Sequence, residues 1–322
     1  MGVRSASTPD ERRVVAQRLR FGILGAADIA RKALIPAIEA AANAELVAIA
    51  SRDLERGRSL FAGRVVAGYA ALLEDPDIDA VYLPLPNALH REWAIRALAA
   101  GKHVLCEKPL AISAAEAVEM AAAAHSSGRL LMEAVMYRFH PRIQDVVRTL
   151  SEKPPEEIWA SFGFSLRKPG DIRLDPNLGG GALLDVGTYT ISLARWIYGE
   201  PDWVEATGRI AEVDMTVSMT LGFAGGARAH LFASFETPEV QELHAGDLLI
   251  DKPFTAWQDP VDPYQVMVEE FSAAALGGLA APLSLEDSIA NLRVVDAVRR
   301  SLETGDRHHL AEAGDGLPPV AE

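Results

Sequence analysis

Apolar residues in the first half of this chain come in short runs separated by helix-like stretches. Residues 21–24 (Phe-Gly-Ile-Leu) form one run, and Gly25-Ala26-Ala27 turns it into a helical composition over 29–42. A β-rich run follows at 45–50, a helix pattern at 54–61, a short strand at 65–66 and a short helix at 69–74, closed by Asp75-Pro76. Residues 80–83 read as a strand, 90–100 as a helix stopped by Gly101, and 103–106 as the next strand. Ser113-Ala114-Ala115-Glu116 is a capping box, in which a hydroxyl and a carboxylate satisfy the first free N–H groups of a helix. The helix it opens is alanine-rich and ends near Gly128, and 130–135 read as a strand. Strands that are apolar throughout, rather than alternating, are buried on both faces. Their close alternation with helices predicts a doubly wound parallel sheet.

After Pro141 the texture changes. A helix pattern at 140–150 and a strand at 158–165 precede a helix at 183–198. Strand-like stretches then follow at 203–210, 213–223 and 226–234, with Gly225-Gly226 turning between the last two. Such spacing predicts antiparallel pairing. A Ser-x-x-Asp box opens a last helix over 284–302. The expected fold is therefore α/β: an N-terminal doubly wound parallel sheet and a C-terminal α+β domain with an open, mainly antiparallel sheet. The expected division is a flexible extension (1–18), the parallel domain (19–137), the α+β domain (138–310) and a loose tail (311–322).

The 322 residues, 49% hydrophobic, are enough for two cores. A net charge of −14 repels nucleic-acid phosphates and anionic lipid, which argues against both as partners. The single cysteine, Cys106, allows no internal disulfide and reads as a small core residue in a reducing cytoplasm. The first 20 residues carry no apolar signal core, and no apolar run approaches the roughly 18 residues of a membrane span.

Two places carry candidate chemistry. Gly25-Ala26-Ala27-Asp28-Ile29-Ala30 stands where a G-x-G-x-x-G/A dinucleotide fingerprint would stand. Gly25 permits the tight turn and Ala30 close packing, while Ala27 puts a methyl where pyrophosphate should approach. The helix N-terminus still offers free N–H groups to phosphate. The second strand ends in Ser51-Arg52 rather than an acid, which suits the 2′-phosphate of NADP. Asp53 could cap the next helix or turn back to a ribose and support NAD. The second place is Gly101-Lys102-His103-Val104-Leu105-Cys106-Glu107-Lys108-Pro109. Lys108 ends a strand where a parallel sheet meets its ligands, so its ammonium could reach both a nicotinamide ribose and a sugar hydroxyl. The alternative is a surface lysine beside a proline.

The chain resembles the Gfo/Idh/MocA oxidoreductases from about residue 21 to about residue 310. The resemblance rests on Pro84-Leu85-Pro86-Asn87 with His90, on Glu107-Lys108-Pro109, and on Met136-Tyr137-Arg138-Phe139-His140-Pro141. It extends through Asp171-Ile172-Arg173 to Gly179-Gly180-Gly181-Ala182-Leu183-Leu184-Asp185-Val186-Gly187 with Tyr189. The subgroup resembled contains NADP-linked D-xylose dehydrogenase, dimeric dihydrodiol dehydrogenase and glucose–fructose oxidoreductase; some antibiotic-sugar 3-ketoreductases look similar. The resemblance implies a Rossmann domain, a second domain that binds substrate, and a homodimer or homotetramer formed through the C-terminal sheet. It implies cofactor contacts at Gly25, Ala27, Asp28, Ile29, Ser51, Arg52, Leu85, Pro86, Asn87, His90, Glu107, Lys108 and Arg173. For His90 a capping or packing role is the alternative, and for Arg173 a salt bridge to Asp171 or Asp175. Arg138 could serve a polyol or the structure. The segment 244–254 is shorter than the family pattern, which carries an extra glycine turn there.

The expected catalytic residues are Lys108, Tyr189 and Asp185. Asp185 and Tyr189 lie four apart and so share a helix face. A phenol titrates near pH 10, too high for a good base, and a nearby ammonium lowers that value. Tyr189 would then exchange a proton with a sugar hydroxyl while Asp185 orients the sugar or Lys108. The eight histidines show no metal-ligand spacing, so no metal is expected. The resulting expectation is an NAD(P)-dependent oxidoreductase, NADP favoured, acting on a sugar or polyol. The alternatives are a reductase of nucleotide-linked 3-keto-sugars, an NAD-dependent glycosidase, and an inactive NADP sensor, the last disfavoured because a sensor needs neither Lys108 nor Tyr189.

Overall fold

In the computed structural model of the chain, residues 17–255 and 261–310 are described. Most of the expected N-terminal extension, the C-terminal tail and the segment around Trp257 lie outside the described residues.

The first sheet contains β1 (Leu19–Leu24), β2 (Ala44–Ser51), β3 (Arg64–Ala67), β4 (Ala80–Leu83), β5 (His103–Glu107) and β6 (Leu131–Ala134). All are parallel, in the order β3-β2-β1-β4-β5-β6, so the winding reverses between β1 and β4. The apolar runs explain why. Phe21, Ile23, Val81, Tyr82, Val104 and Leu105 are all 0% exposed, buried from both sides. The connecting helices are α1 (Ile35–Ala40), entered through a π-turn at Ala30–Leu34, then α2 (Leu54–Leu60), α3 (Tyr69–Leu73), α4 (His90–Ala99) and α5 (Ala114–Ser127). Ser113 caps α5 by accepting the Glu116 N–H at 3.3 Å, and left-handed Gly128 ends it.

The second sheet has the order β12-β11-β7-β10-β9-β8-β13. Its strands are β7 (Glu157–Ser165), β8 (Trp203–Ile210), β9 (Asp214–Gly222), β10 (Arg228–Ser234), β11 (Glu236–Ala245), β12 (Leu248–Asp251) and β13 (His308–His309). Only β7 and β10 pair in parallel; the other pairs are antiparallel. The short 244–254 segment is a complete hairpin: Ala245 pairs with Leu248 across Gly246-Asp247, and Gly246 takes φ +59°. The helices α6 (Pro141–Glu152), α7 (Thr188–Tyr198) and α9 (Leu285–Thr304) accompany this sheet, α7 packing on β7 and β10 and α9 on β8.

The helix α8 (Pro263–Gly277) is an element for which the apolar pattern raises no expectation. It follows the second sheet in sequence but packs on α1, β1 and β2 of the first. Phe271, 0% exposed, meets Phe21 with ring centres 5.9 Å apart. α9 likewise bridges, touching α5 and β6 as well as β8. Two helices from late in the chain thus pack on the first sheet, and α9 joins it to the second. Phe271→Ala is expected to destabilise the protein by about 3–5 kcal/mol, the usual cost of emptying a buried aromatic site; urea denaturation measures it.

Candidate active site

The carboxyl edge of the first sheet, at the reversal between β1 and β4, is the geometric place for a dinucleotide. Gly25 follows β1 with φ +112°, a left-handed conformation that L side chains rarely adopt. A Cβ there would come within 2.9 Å of Leu85 Cδ2. Ala27 is half-buried beside Asp28, which is exposed, and Ile29, which is half-buried, at the start of the helical turn.

The Ser51-Arg52 pair divides its work. Ser51 is 3% exposed, and its hydroxyl donates to Asp53 O at 2.5 Å and accepts from Asp53 N at 3.1 Å. Without a ligand this hydroxyl is engaged in the turn that presents Arg52. Asp53 caps α2 by accepting the Arg56 N–H at 3.0 Å. Arg52 is exposed and makes no ion pair or hydrogen bond among the described residues. Arg56, for which the motif raises no expectation, reaches from α2 across the fingerprint turn. Its Nε donates to Ala26 O at 2.8 Å, and a second guanidinium nitrogen lies 3.7 Å from Asp28. Its spacing of four from Arg52, one helical turn, is the signal that could have found it. An unpaired guanidinium beside a glycine turn and a helix start fits an anionic dinucleotide.

The loop after β4 carries Leu85, Pro86 and Asn87. Asn87 Nδ2 donates to Gly179 O at 2.8 Å, tying the loop to the second half of the chain. Gly179 has φ +75°, and a Cβ on it would lie 2.9 Å from Asn87 Cβ. His90 is expected either to touch cofactor or to cap or pack, and its setting favours packing. It is 0% exposed, with Nδ1 2.9 Å from Pro109 O and Nε2 2.8 Å from Leu85 O. Burial pushes its pKa down. The imidazole therefore joins the Leu85 loop to the Lys108-Pro109 loop and has no ring nitrogen free for a ligand.

At the end of β5, Glu107 accepts from the Tyr82 hydroxyl and, at 3.2 Å, from the Lys108 N–H. Burial pushes its carboxyl up. Lys108 Nζ donates to both Asp185 Oδ1 and Asp185 O at 2.8 Å. The two side chains are 15% and 18% exposed. Two of the three ammonium donors are thus fixed and one remains. Asp185 lies in a π-turn, Leu183–Gly187, that runs into α7. Arg173 binds Asp171 through two hydrogen bonds, at 2.9 and 3.0 Å, and lies 3.7 Å from Asp185 Oδ2. Asp185 thus receives Lys108 on one oxygen and Arg173 on the other.

Tyr189 departs from expectation in detail. Lys108 Nζ lies 5.0 Å from its ring centre, over the face. Its hydroxyl, however, contacts Met136 Sδ at 3.7 Å, and its ring packs among Tyr137, Phe162 and Phe254. The expected lowering of its pKa is corrected: burial, followed by the nearby carboxylates Glu107 and Asp185, pushes the phenol well up. Asp185 already engages the ammonium charge. Arg138 stacks on Trp196 at 4.1 Å and reaches Ser192 and Asp287, a structural setting. Glu133 on β6, where an acid interrupts an apolar run, is 4% exposed. Burial raises its carboxyl to about 7. Cys106 is buried, its thiol pushed up by desolvation. Among the described residues no group of three or more His, Cys, Asp or Glu could hold a metal.

Comparison with known proteins places these features in context. The profile described as "Oxidoreductase family, NAD-binding Rossmann fold" matches residues 19–135, and the GFO/IDH/MocA C-terminal domain profile matches 144–246. The chain is 38% identical to a D-xylose 1-dehydrogenase (NADP(+)) of Haloferax volcanii, across 89% of this chain and 98% of that one. A 3-ketoreductase from Actinomadura kijaniata, solved with NADP and TDP-benzene, superposes with a TM-score of 0.81 at 34% identity, covering 89% and 98%. An aldose–aldose oxidoreductase from Caulobacter crescentus, solved with glycerol, gives 0.81 at 25% identity, covering 91% and 100%.

Glu133 makes stability depend on pH in a defined direction. As pH rises above the ordinary glutamate value of 4.5 the unfolded chain loses this proton while the folded chain keeps it, until about pH 7. The folded state loses ground across that window. Glu133→Gln removes the loss, so the variant should gain stability relative to the parent as pH rises, levelling above about 7. The full difference is on the order of 2–4 kcal/mol at about 1.4 kcal/mol per unit, read by urea denaturation at several pH values.

Proposed function

This chain belongs to the Gfo/Idh/MocA family of oxidoreductases, and from that premise we propose that it transfers hydride between NADP(H) and a carbon of a sugar or polyol. The observation that carries the reading is the Lys108–Asp185 pair at the edge where a dinucleotide would lie. When bound, the nicotinamide supplies or accepts the hydride. The protein's residues do the rest. Arg52 offers its guanidinium to the 2′-phosphate, and the turn at Gly25 lets backbone approach the pyrophosphate. Asp185 holds Lys108 so that the remaining ammonium proton faces a sugar oxygen, which it polarises on reduction. Tyr189 is the partner in proton transfer once a sugar replaces its Met136 contact with polar atoms, since the ammonium over its ring then favours the phenolate. Arg173 orients Asp185 from its other oxygen.

Two substrate classes follow from the relatives. The D-xylose dehydrogenase and the aldose–aldose oxidoreductase support a free aldose. The 3-ketoreductase solved with TDP-benzene supports a nucleotide-linked keto-sugar as the second reading. We favour the free sugar, because the dehydrogenase shares 38% of its residues over nearly the whole domain pair.

The outer face of the second sheet supports self-association, which we propose as the basis of a dimer. Trp159 there is 46% exposed and stacks on His230 at 5.2 Å. Among the described residues no helix is long and apolar enough to cross a membrane. We place the protein in the cytoplasm, where its lone cysteine stays a thiol.

Purified protein should change absorbance at 340 nm with NADP and at least one aldose or polyol; silence across aldoses, diols and a keto-sugar nucleotide rejects the reading. Lys108→Met and Tyr189→Phe should each lower kcat by about 10²–10⁴-fold. Arg52→Ala should weaken NADP by about 10–100-fold and NAD little. Trp159→Glu should convert the dimer to monomer in sedimentation velocity.

A further inference from the structure

We propose that Glu133 holds the proton that recharges Lys108, so that a buried acid stands behind the ammonium. The inference rests on the oxidoreductase reading above. Glu133 lies on β6, one strand away from the end of β5, and pairs in register with Cys106. One of its oxygens accepts the Leu110 N–H at 2.9 Å, two residues past Lys108. With Lys108, Thr188, Tyr189, Ser192 and Asp287 it lines one small chamber of about 10 Å³. That is about the space of a single water position.

The groups facing Glu133 come from each neighbouring element. Lys108 and Cys106 approach from β5 and its end, Tyr189 from α7, and Asp287 and Ser288 from α9. The Asp287 carboxylate is itself held by Arg138 at 3.7 Å and Arg195 at 3.4 Å. Asp287 is 29% exposed, so it connects the chamber to solvent. A carboxyl that only served the Leu110 N–H would need no proton near neutrality. Burial holds one on Glu133 up to about pH 7.

The transfers balance. In the reducing direction the O–H bond of Tyr189 breaks and its proton goes to the carbonyl oxygen of the sugar; an N–H bond of Lys108 Nζ then breaks to return a proton to the phenolate, and Nζ keeps the electron pair. The Glu133 O–H bond then breaks and its proton crosses the chamber to Nζ. The carboxylate left behind takes a proton from solvent past Asp287. One proton is consumed per carbonyl reduced, and oxidation runs the same transfers backwards. Glu133 touches no substrate and acts only through Lys108.

The test uses the full chain. Carbon-13 NMR of the ligand-free protein, labelled at glutamate carboxyls, should show one carboxyl titrating near pH 7 that disappears in Glu133→Gln. No glutamate titrating there overturns the proposal, whatever the substrate. In kinetics, the kcat profile of the parent should bend near the same pH. Glu133→Gln, which still accepts the Leu110 N–H, should lose the bend and lower kcat roughly 10-fold at neutral pH, with KM for NADP unchanged. Asp287→Asn removes a like charge and should move both the NMR titration and the bend to lower pH. A Glu133→Gln profile with the parent's bend overturns the proposal. Should the parent turn over no sugar at all, it is the functional reading that fails, and the NMR titration still decides the role of Glu133.

Discussion

One ion pair organises this molecule: Lys108 from the end of β5 against Asp185 at the entrance to α7, 2.8 Å apart and 77 residues apart in sequence. Neither partner is fully buried, so the pair escapes the full desolvation cost of a dry ion pair. Both are shielded enough that the attraction is stronger than at an open surface. Asp185 contributes a backbone carbonyl to the same ammonium, and Arg173 sits on its other oxygen. The carboxylate is therefore balanced between two cations, one from each half of the chain. Removing either neighbour would leave a charge that the remaining geometry was built to neutralise.

That pair is only as well placed as the loops that carry it, and these are fixed mainly by backbone contacts. His90 clasps the carbonyls of Leu85 and Pro109, and Asn87 reaches across to Gly179. The close approach of Asn87 to Gly179 leaves no room for a side chain at 179. α9 touches both sheets, and α8 packs on the first. The core is continuous across both sheets. Packing at crystal-like density transmits such restraints, so the position of Nζ is set by contacts that never touch a ligand.

Much of this was legible from residue order. The strands of the first sheet announced themselves because both faces are covered, so each reads as an unbroken apolar run. The helix caps at Ser113 and Ser284 were equally plain. β11 was not. Its first half is polar, contains Pro238, and holds a register shift between Glu236 and Val240, so it shows no period of two. α8 was missed for the opposite reason. It is buried on most of its circumference, with Tyr264, Met267, Val268 and Phe271 all covered, so it has no clean polar stripe. Asp262 capping a Pro at the first turn was the available signal. At the site, motif order brought Lys108 and Asp185 forward, but no spacing rule reveals that Ser51 folds onto its own turn or that His90 has both nitrogens engaged.

The Tyr189 phenol shows how a ligand-free geometry differs from a reacting one. A hydroxyl against a thioether, ringed by Tyr137, Phe162 and Phe254, is shielded from the solvent that would stabilise its anion, and Glu107 and Asp185 repel that anion further. Burial therefore protects the proton rather than activating the base. The same burial makes any charge that arrives count for more, because the effective dielectric falls as water is excluded. The ammonium 5.0 Å from the ring centre is already in place to answer a phenolate. A polar group brought to the hydroxyl would add to that stabilisation, and a sugar carries several. On the proposed reading, substrate binding and proton transfer become one event: the carbohydrate that reaches the hydroxyl also changes the surroundings that keep it protonated. A small apolar molecule in the same cleft would leave the phenol as it stands, so on that reading selectivity for polyhydroxylated compounds follows from the electrostatics of the pocket as much as from its shape.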